Sequence, residues 1–146
     1  MTERTVFQSM PRRLLVSLGP AATVHEAACV MTKAGCGSVL VIDTASTLLG
    51  IVTERDLMTR VLAKALDPAK TPLSSVMTPH PQCIKPDTKV ADAVLIMIER
   101  GFRHLPVLGE GGHILGVFSV RDALPREIGT AVSLAEFNEQ VNDSLG

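Results

Sequence analysis

The sequence predicts an α/β fold of two pseudo-symmetric repeats, each ordered β-α-β-β-α, packed together through their sheets. Three observations carry that expectation. The chain repeats itself at an offset of 66 residues: Pro20, Val24, Ala27, Met31, Gly35, Val41, Leu49, Gly50, Arg55 and Asp56 return as Pro86, Val90, Ala93, Met97, Gly101, Val107, Leu115, Gly116, Arg121 and Asp122. No gap is needed between residues 16 and 56, so the echo spans a whole supersecondary unit. Each copy alternates helical periodicity with short β-branched runs that are apolar along their length. Such strands need cover on both faces, which two helices per copy supply.

In the first copy "RLLVSL" reads as a leading strand. Thr23 stands three residues before Glu26, a capping box, and Val24, Ala27, Ala28 and Met31 follow at helical spacing. Gly35 marks a left-handed helix end. "SVLVID" and "LLGIVT" are strands joined by the turn "TAST". Thr53 then caps a helix, "ERDLMTRVLAKAL", closed off by Pro68. The second copy gives "QCIKP", "KVADAVLIMIERG", "RHLPVL", the turn "GEGGH", "ILGVFS" and a last helix from "VRDAL". That glycine-rich turn joins two strands and opens no helix, so it is not read as a phosphate cradle. Pro125 is expected to stop or bend the last helix. "SLAEFNEQVND" carries Ser133 and Glu136 at capping-box spacing, with Leu134, Phe137 and Val141 on one face. It reads as an added amphipathic helix that covers an edge or meets a partner.

At 146 residues a chain can bury roughly two-thirds of its unfolded surface, although neither half alone has a comfortable core. Basic and acidic residues balance at 14 against 15, with no basic run, which argues against nucleic acid and anionic membranes as partners. The pair Arg12-Arg13 reads as loop decoration. Cys29, Cys36 and Cys83 lack CxxC spacing, so each is expected to be a buried small hydrophobe in a reduced, cytoplasmic protein. No apolar run approaches the ~18 residues of a membrane span, and the first ten residues lack the apolar stretch of a secretory signal. Met31, Met58, Met77 and Met97 are expected to pack in cores. His25, His80 and His113 are too scattered for a metal site.

The most distinctive echo is "GIVTERD" with "GVFSVRD": Gly50, Thr53 and Asp56 recur as Gly116, Ser119 and Asp122. Each aspartate falls at the third helical position after a hydroxyl residue. A carboxylate there can accept the two hydroxyls of a ribose in charge-assisted bonds. The hydroxyl and the free N–H groups of the helix mouth suit a phosphate. The same residues also make ordinary helix caps, worth about 0.5–2 kcal/mol each. One helix mouth can serve both roles.

With "VMTP", "PDTKVADAVLIMIERGFRHLPVL" and "GVFSVRDAL", the duplicated motif resembles a pair of CBS domains, the module named after cystathionine β-synthase. The resemblance places repeat 1 at residues 6–66 and repeat 2 at 72–125, followed by a helical extension over 126–146, and suggests a stand-alone pair. It implies regulation rather than catalysis: no cofactor is required, and an adenosine ligand (AMP, ADP, ATP, S-adenosylmethionine or NADH) binds in clefts between the repeats of a homodimer. Carried over by position, one pocket joins Thr53, Arg55 and Asp56 to Thr78, Cys83, Phe102, Arg103 and His104. The other joins Ser119, Arg121 and Asp122 to Arg12, Ser17, Cys36, Gly37 and Ser38. This second set departs from the pattern, because Arg12 stands where Thr78 stands and "SVLV" lacks the proline of "HLPV". Arg12 reads either as that departure or as a phosphate partner. Arg55 and Arg121 read either as partners of further phosphates or as residues of a solvated helix face or a neighbouring ion pair, and His104 either as a ligand-edge group or as a hydrogen-bonded core histidine.

Two further classes stand beside the sensor. A ligand-free dimer would act as a scaffold for an unidentified effector protein. An enzyme is disfavoured, since the sequence holds no Cys/His pairing at a recognisable spacing, no GxGxxG and no P-loop.

Overall fold

The structure is a computed structural model that describes residues 3–10 and 15–145. The elements run α1 (Val6–Ser9), β1 (Ser17–Leu18), α2 (Val24–Ala34), β2 (Ser38–Ile42), β3 (Leu48–Thr53), α3 (Glu54–Asp56), β4 (Thr78–Pro79), α4 (Val90–Arg100), β5 (His104–Leu108), β6 (Ile114–Ser119) and α5 (Pro125–Leu145). They fall into two compact units, one formed by 14–82 and the other by 1–13 with 83–146.

In the 14–82 unit, the Thr23 hydroxyl accepts the Glu26 N–H at 3.1 Å and starts α2. Gly35, at φ 66, ends it by returning its N–H to Met31 and Thr32. Strand β2 is buried along most of its length, as a covered strand should be. The Asp43 carboxylate accepts the Ala45 and Thr47 N–H groups at 2.9 and 2.8 Å, which closes the turn into β3. The sheet order is β1-β2-β3-β4, with β1 parallel to β2 and the other pairs antiparallel. Val24, Val39, Val41, Val52, Val61 and Leu73 form the centre of its core. Gly50 is required where β4 meets β3: a Cβ there would lie 2.8 Å from the Thr78 carbonyl oxygen and 2.6 Å from Met77 Sδ.

The helix expected over "ERDLMTRVLAKAL" takes a different form. After α3 the chain widens into a π-helix over Leu57–Leu62, and Ala65, at φ 55, turns away before Pro68 is reached. The Thr59 hydroxyl occupies the Arg55 carbonyl at 2.8 Å, and Ala63 N–H reaches five residues back to Met58 at 2.9 Å. Val61 thereby points into the core, while Leu62 is 70% exposed. Met58, expected to pack, is exposed as well. Cys29 is also exposed rather than buried, and Cys36 and Cys83 are half-buried.

In the other unit, α1 opens with a full capping box between Thr5 and Gln8. Val6 N–H donates to the Thr88 carbonyl at 2.7 Å, and Val90 N–H donates to the Arg4 carbonyl at 3.0 Å. The second bond matters because Lys89, at the N-cap of α4, offers no side-chain acceptor, so the N-terminal segment supplies one. Gly101, at φ 76, ends α4. Strands β5 and β6 pair antiparallel. The expected leading strand "QCIKP" is reduced to a parallel bridge from Ile84 to Val107. Of "RLLVSL", the first two residues lie outside the described ones, and Ser17–Leu18 form β1. Val6, Val90, Val94, Leu105, Val107 and Phe118 fill the core.

The end of the second copy corrects two expectations. "VRDAL" holds a single 3₁₀ turn at Val120–Asp122, and Ala123 is extended. Pro125 does not stop a helix; it begins one of 21 residues that packs along α4. Proline suits a first helical position because its missing N–H has no partner to lose there. Ser133 lies inside α5 and caps nothing, whereas Ala131 is fully buried and Leu134, Phe137 and Val141 are exposed.

Candidate functional site

Thr53 is the last residue of β3 and the N-cap of α3. Its N–H and hydroxyl donate to Asp56 Oδ2 at 2.9 and 3.2 Å, and its Oγ1 accepts the Asp56 N–H at 3.4 Å. Asp56 Oδ1 faces Arg60 Nε at 3.5 Å, and the carboxylate is buried at 8% exposure. Arg60 also donates to the carbonyls of Val76 and Met77, at 3.1 and 3.0 Å, which lead into β4. Strand register brings more of the anticipated residues here. Ser38 pairs with Thr53, Glu54 N–H donates to the Gly37 carbonyl at 3.0 Å, and the Cys36 thiol donates to the Ser38 carbonyl at 3.3 Å. Thr78 pairs with Ile51, on the strand face that Thr53 shares. Ser17 pairs with Leu40 on β1, and Arg55 lies on the exposed side of α3.

In the other unit Ser119 ends β6 and caps a shorter turn. Its hydroxyl accepts the Arg121 N–H at 3.3 Å, and Asp122 Oδ2 accepts the Ser119 N–H at 3.1 Å. His104 pairs with Ser119, and Val120 N–H donates to the Arg103 carbonyl at 3.2 Å. Phe102 and Arg121 are exposed, and burial pushes the Cys83 thiol above its ordinary value.

Each unit therefore sets one motif beside the strand start of its own copy: Cys36–Ser38 beside Thr53, and Arg103–His104 beside Ser119. The sets carried over by position draw on both units. Thr53, Arg55, Asp56, Thr78, Ser17, Cys36, Gly37 and Ser38 lie in the 14–82 unit, and Cys83, Phe102, Arg103, His104, Ser119, Arg121 and Asp122 lie in the other. Arg12 lies outside the described residues.

Three residues at these mouths escaped the sequence reading: Arg60, Arg4 and Glu127. Arg4 Nη2 donates to Glu127 Oε1 at 2.7 Å and to the Asp122 carbonyl at 3.0 Å, and its Nε donates to Glu127 Oε2 at 3.1 Å. The guanidinium holds the Glu127 carboxyl below its ordinary value, and the carboxylate raises Arg4 in turn. Arg60 had a readable signal, an arginine four residues after Asp56. Glu127 had one too, two positions after a proline at a helix start. Arg4 had none, because its partners lie 118 and 123 residues away.

The family model for the CBS domain matches residues 8–63 and again 73–127. The chain belongs to the CBS-domain family. This CBS-domain pair is 33% identical over 144 residues to the meiotically up-regulated gene 70 protein of Schizosaccharomyces pombe, covering 88% of the chain and 20% of that relative. It spans 20% and 61% of the lengths of two curated relatives it matches. Among solved structures, it resembles the CBS-domain protein PAE2072 of Pyrobaculum aerophilum complexed with AMP. The identity is 26% and the TM-score 0.78, over 90% of this chain and 100% of that one. CBSX2 in complex with AMP is likewise 26% identical, with a TM-score of 0.65 over 92% of this chain and 98% of that one.

Proposed function

We propose that this CBS-domain pair is a regulatory module that senses an adenosine ligand and catalyses no reaction. The observation that carries the reading is the AMP in two structures that the chain resembles over nine-tenths of its length. The chemistry of the motifs supports it. Asp56 and Asp122 are carboxylates at helix mouths, suited to ribose hydroxyls, with Thr53, Ser119 and the adjoining N–H groups suited to phosphate. The proposed pockets join Thr53, Arg55 and Asp56 to Thr78, Cys83, Phe102, Arg103 and His104, and Ser119, Arg121 and Asp122 to Arg12, Ser17, Cys36, Gly37 and Ser38. Ligand binding then shifts the balance between two arrangements of a homodimer, in proportion to its differential affinity for them. Among the described residues no helix is long and apolar enough to cross a membrane.

Thermal shift and calorimetry with AMP, ADP, ATP, S-adenosylmethionine and NADH test this on wild type, Asp56→Ala and Asp122→Ala. A native-state ligand at a hundredfold excess over Kd stabilises by about 2.7 kcal/mol. The expected result is stabilisation by one compound that a single aspartate change abolishes. Binding indifferent to both aspartates overturns the assignment of the pockets. Silence from all five compounds favours a second reading, a ligand-free scaffold, for which the exposed stripe of Leu134, Phe137 and Val141 on α5 offers a partner-facing surface.

A further inference from the structure

In the second copy the motif lacks what steadies the first. No helix continues from Asp122: the 3₁₀ turn ends there, Ala123 is extended, and α5 starts afresh at Pro125. The N-cap of α5 is Leu124, whose side chain has no acceptor. Glu127, at the third helical position, instead reaches back to accept the Leu124 N–H at 2.7 Å. The same oxygen accepts Arg4 Nη2 at 2.7 Å, and that nitrogen also donates to the carbonyl of Asp122. Arg4 is itself fixed, because its carbonyl accepts the first N–H of α4. Arg4 thus fastens the main chain of the motif aspartate to the start of α5 through its guanidinium, and is anchored at the start of α4 through its own carbonyl.

We propose that Arg4 and Glu127 are positioning residues for the Asp122 motif, holding the turn closed so that its carboxylate is presented to a ribose-bearing ligand. The inference deepens the nucleotide reading and rests on it. Neither residue touches the ligand. They act by keeping the Asp122 carbonyl, and with it the bond from the Ser119 N–H to Asp122 Oδ2, in one geometry. An arginine serves here better than a lysine, because its planar fork makes all three donated bonds and an ammonium would keep only some of them. Arg4 also faces the charge of Asp122, and Glu127 that of Arg126, so lowering the pH through the Glu127 titration loosens the clamp.

The test measures two quantities on the 146-residue wild type, Arg4→Ala, Arg4→Lys and Glu127→Gln. The first is AMP affinity, with Asp122→Ala and Asp56→Ala as references, and the second is amide exchange at Ser119 and Leu124. Binding that needs Asp122 is expected to weaken roughly tenfold in Arg4→Ala and Glu127→Gln, as only part of the population keeps the turn closed. Arg4→Lys should recover part of the loss, binding that needs Asp56 should be unmoved, and Ser119 exchange should quicken. If Arg4→Ala proves too unstable to study, Glu127→Gln carries the same comparison with an isosteric change. Unchanged affinity through Asp122 with unchanged Ser119 exchange overturns the clamp and leaves the nucleotide reading intact. A wild type that binds no AMP through Asp122 overturns AMP recognition at that motif. The exchange arm then decides separately whether Arg4 holds the turn.

Discussion

Asp56 and Asp122 hold the same place in two copies of one motif, yet the protein supports them by different means. Asp56 accepts a main-chain N–H and a hydroxyl, faces Arg60 one turn on, and sits at the head of a continuing helix. Asp122 accepts the Ser119 N–H, and its turn is tied down by Arg4, 118 residues earlier in the chain. A motif fixes the local cap, and the path the chain takes beyond it decides whether support comes from nearby or from afar.

The cores sharpen the contrast most. Phe118 and Val52 are fully buried at corresponding positions of β6 and β3. Phe118→Ala should cost about 3–5 kcal/mol, and Val52→Ala about 1.5–3 kcal/mol. Denaturant unfolding of the two variants measures both, and equal losses would contradict the larger contribution of Phe118 to its core.

Gly50→Ala comes next. A methyl pressed on the Thr78 carbonyl should displace β4 at about 1–3 kcal/mol, visible as faster exchange of the His80 N–H, which bonds Leu49 at 3.1 Å. Gly116→Ala meets the mobile Cε of Met10 instead, so its cost comes chiefly from a φ of 152. A Gly50→Ala variant with native exchange at His80 would show that β4 does not depend on that close approach.

Truncating the aspartates without ligand should rank the two caps, with Asp56→Ala losing about 2 kcal/mol and Asp122→Ala nearer 1 kcal/mol. The reverse order in chemical unfolding would contradict the reading of local against distant support.

Glu127→Gln should remove about 1.5 kcal/mol at neutral pH. Because Arg4 lowers the native Glu127 value, its contribution is complete above the ordinary carboxylate value of 4.5 and is lost as pH falls through the lowered one. Wild type and variant should therefore converge in acid, and a gap that persists at low pH would rule out this ion pair as its source.

The smallest effect is a gain. Ala65 holds φ 55, and Ala65→Gly should add about 0.5 kcal/mol by relieving a left-handed alanine. A loss in thermal unfolding would mean that its methyl group packs usefully.

Much of this was legible in the residues. The 66-residue offset located both copies, and β3 and β6 occupy "LLGIVT" and "ILGVFS" as read. Gly35 and Gly101 end their helices because only glycine adopts that conformation freely. The Pro125 helix was missed because proline was weighed as an interruption, although "PRE" also spells a helix start. The π-helix was missed because a hydroxyl competing for one carbonyl leaves the apolar spacing unchanged. Chemistry written within four residues could be read, and the Arg4 contacts could not, since sequence spacing says nothing about partners more than a hundred positions apart.

That long span has a consequence for biosynthesis. The 14–82 unit is continuous, so its strands can assemble as soon as they leave the ribosome. The other unit is split between the two ends of the chain, and Arg4 must wait for Glu127, 123 positions later. A nascent chain that has exposed its first 82 residues therefore carries the whole of one unit, while the partners of its N-terminal arm, from Pro86 onward, have yet to emerge.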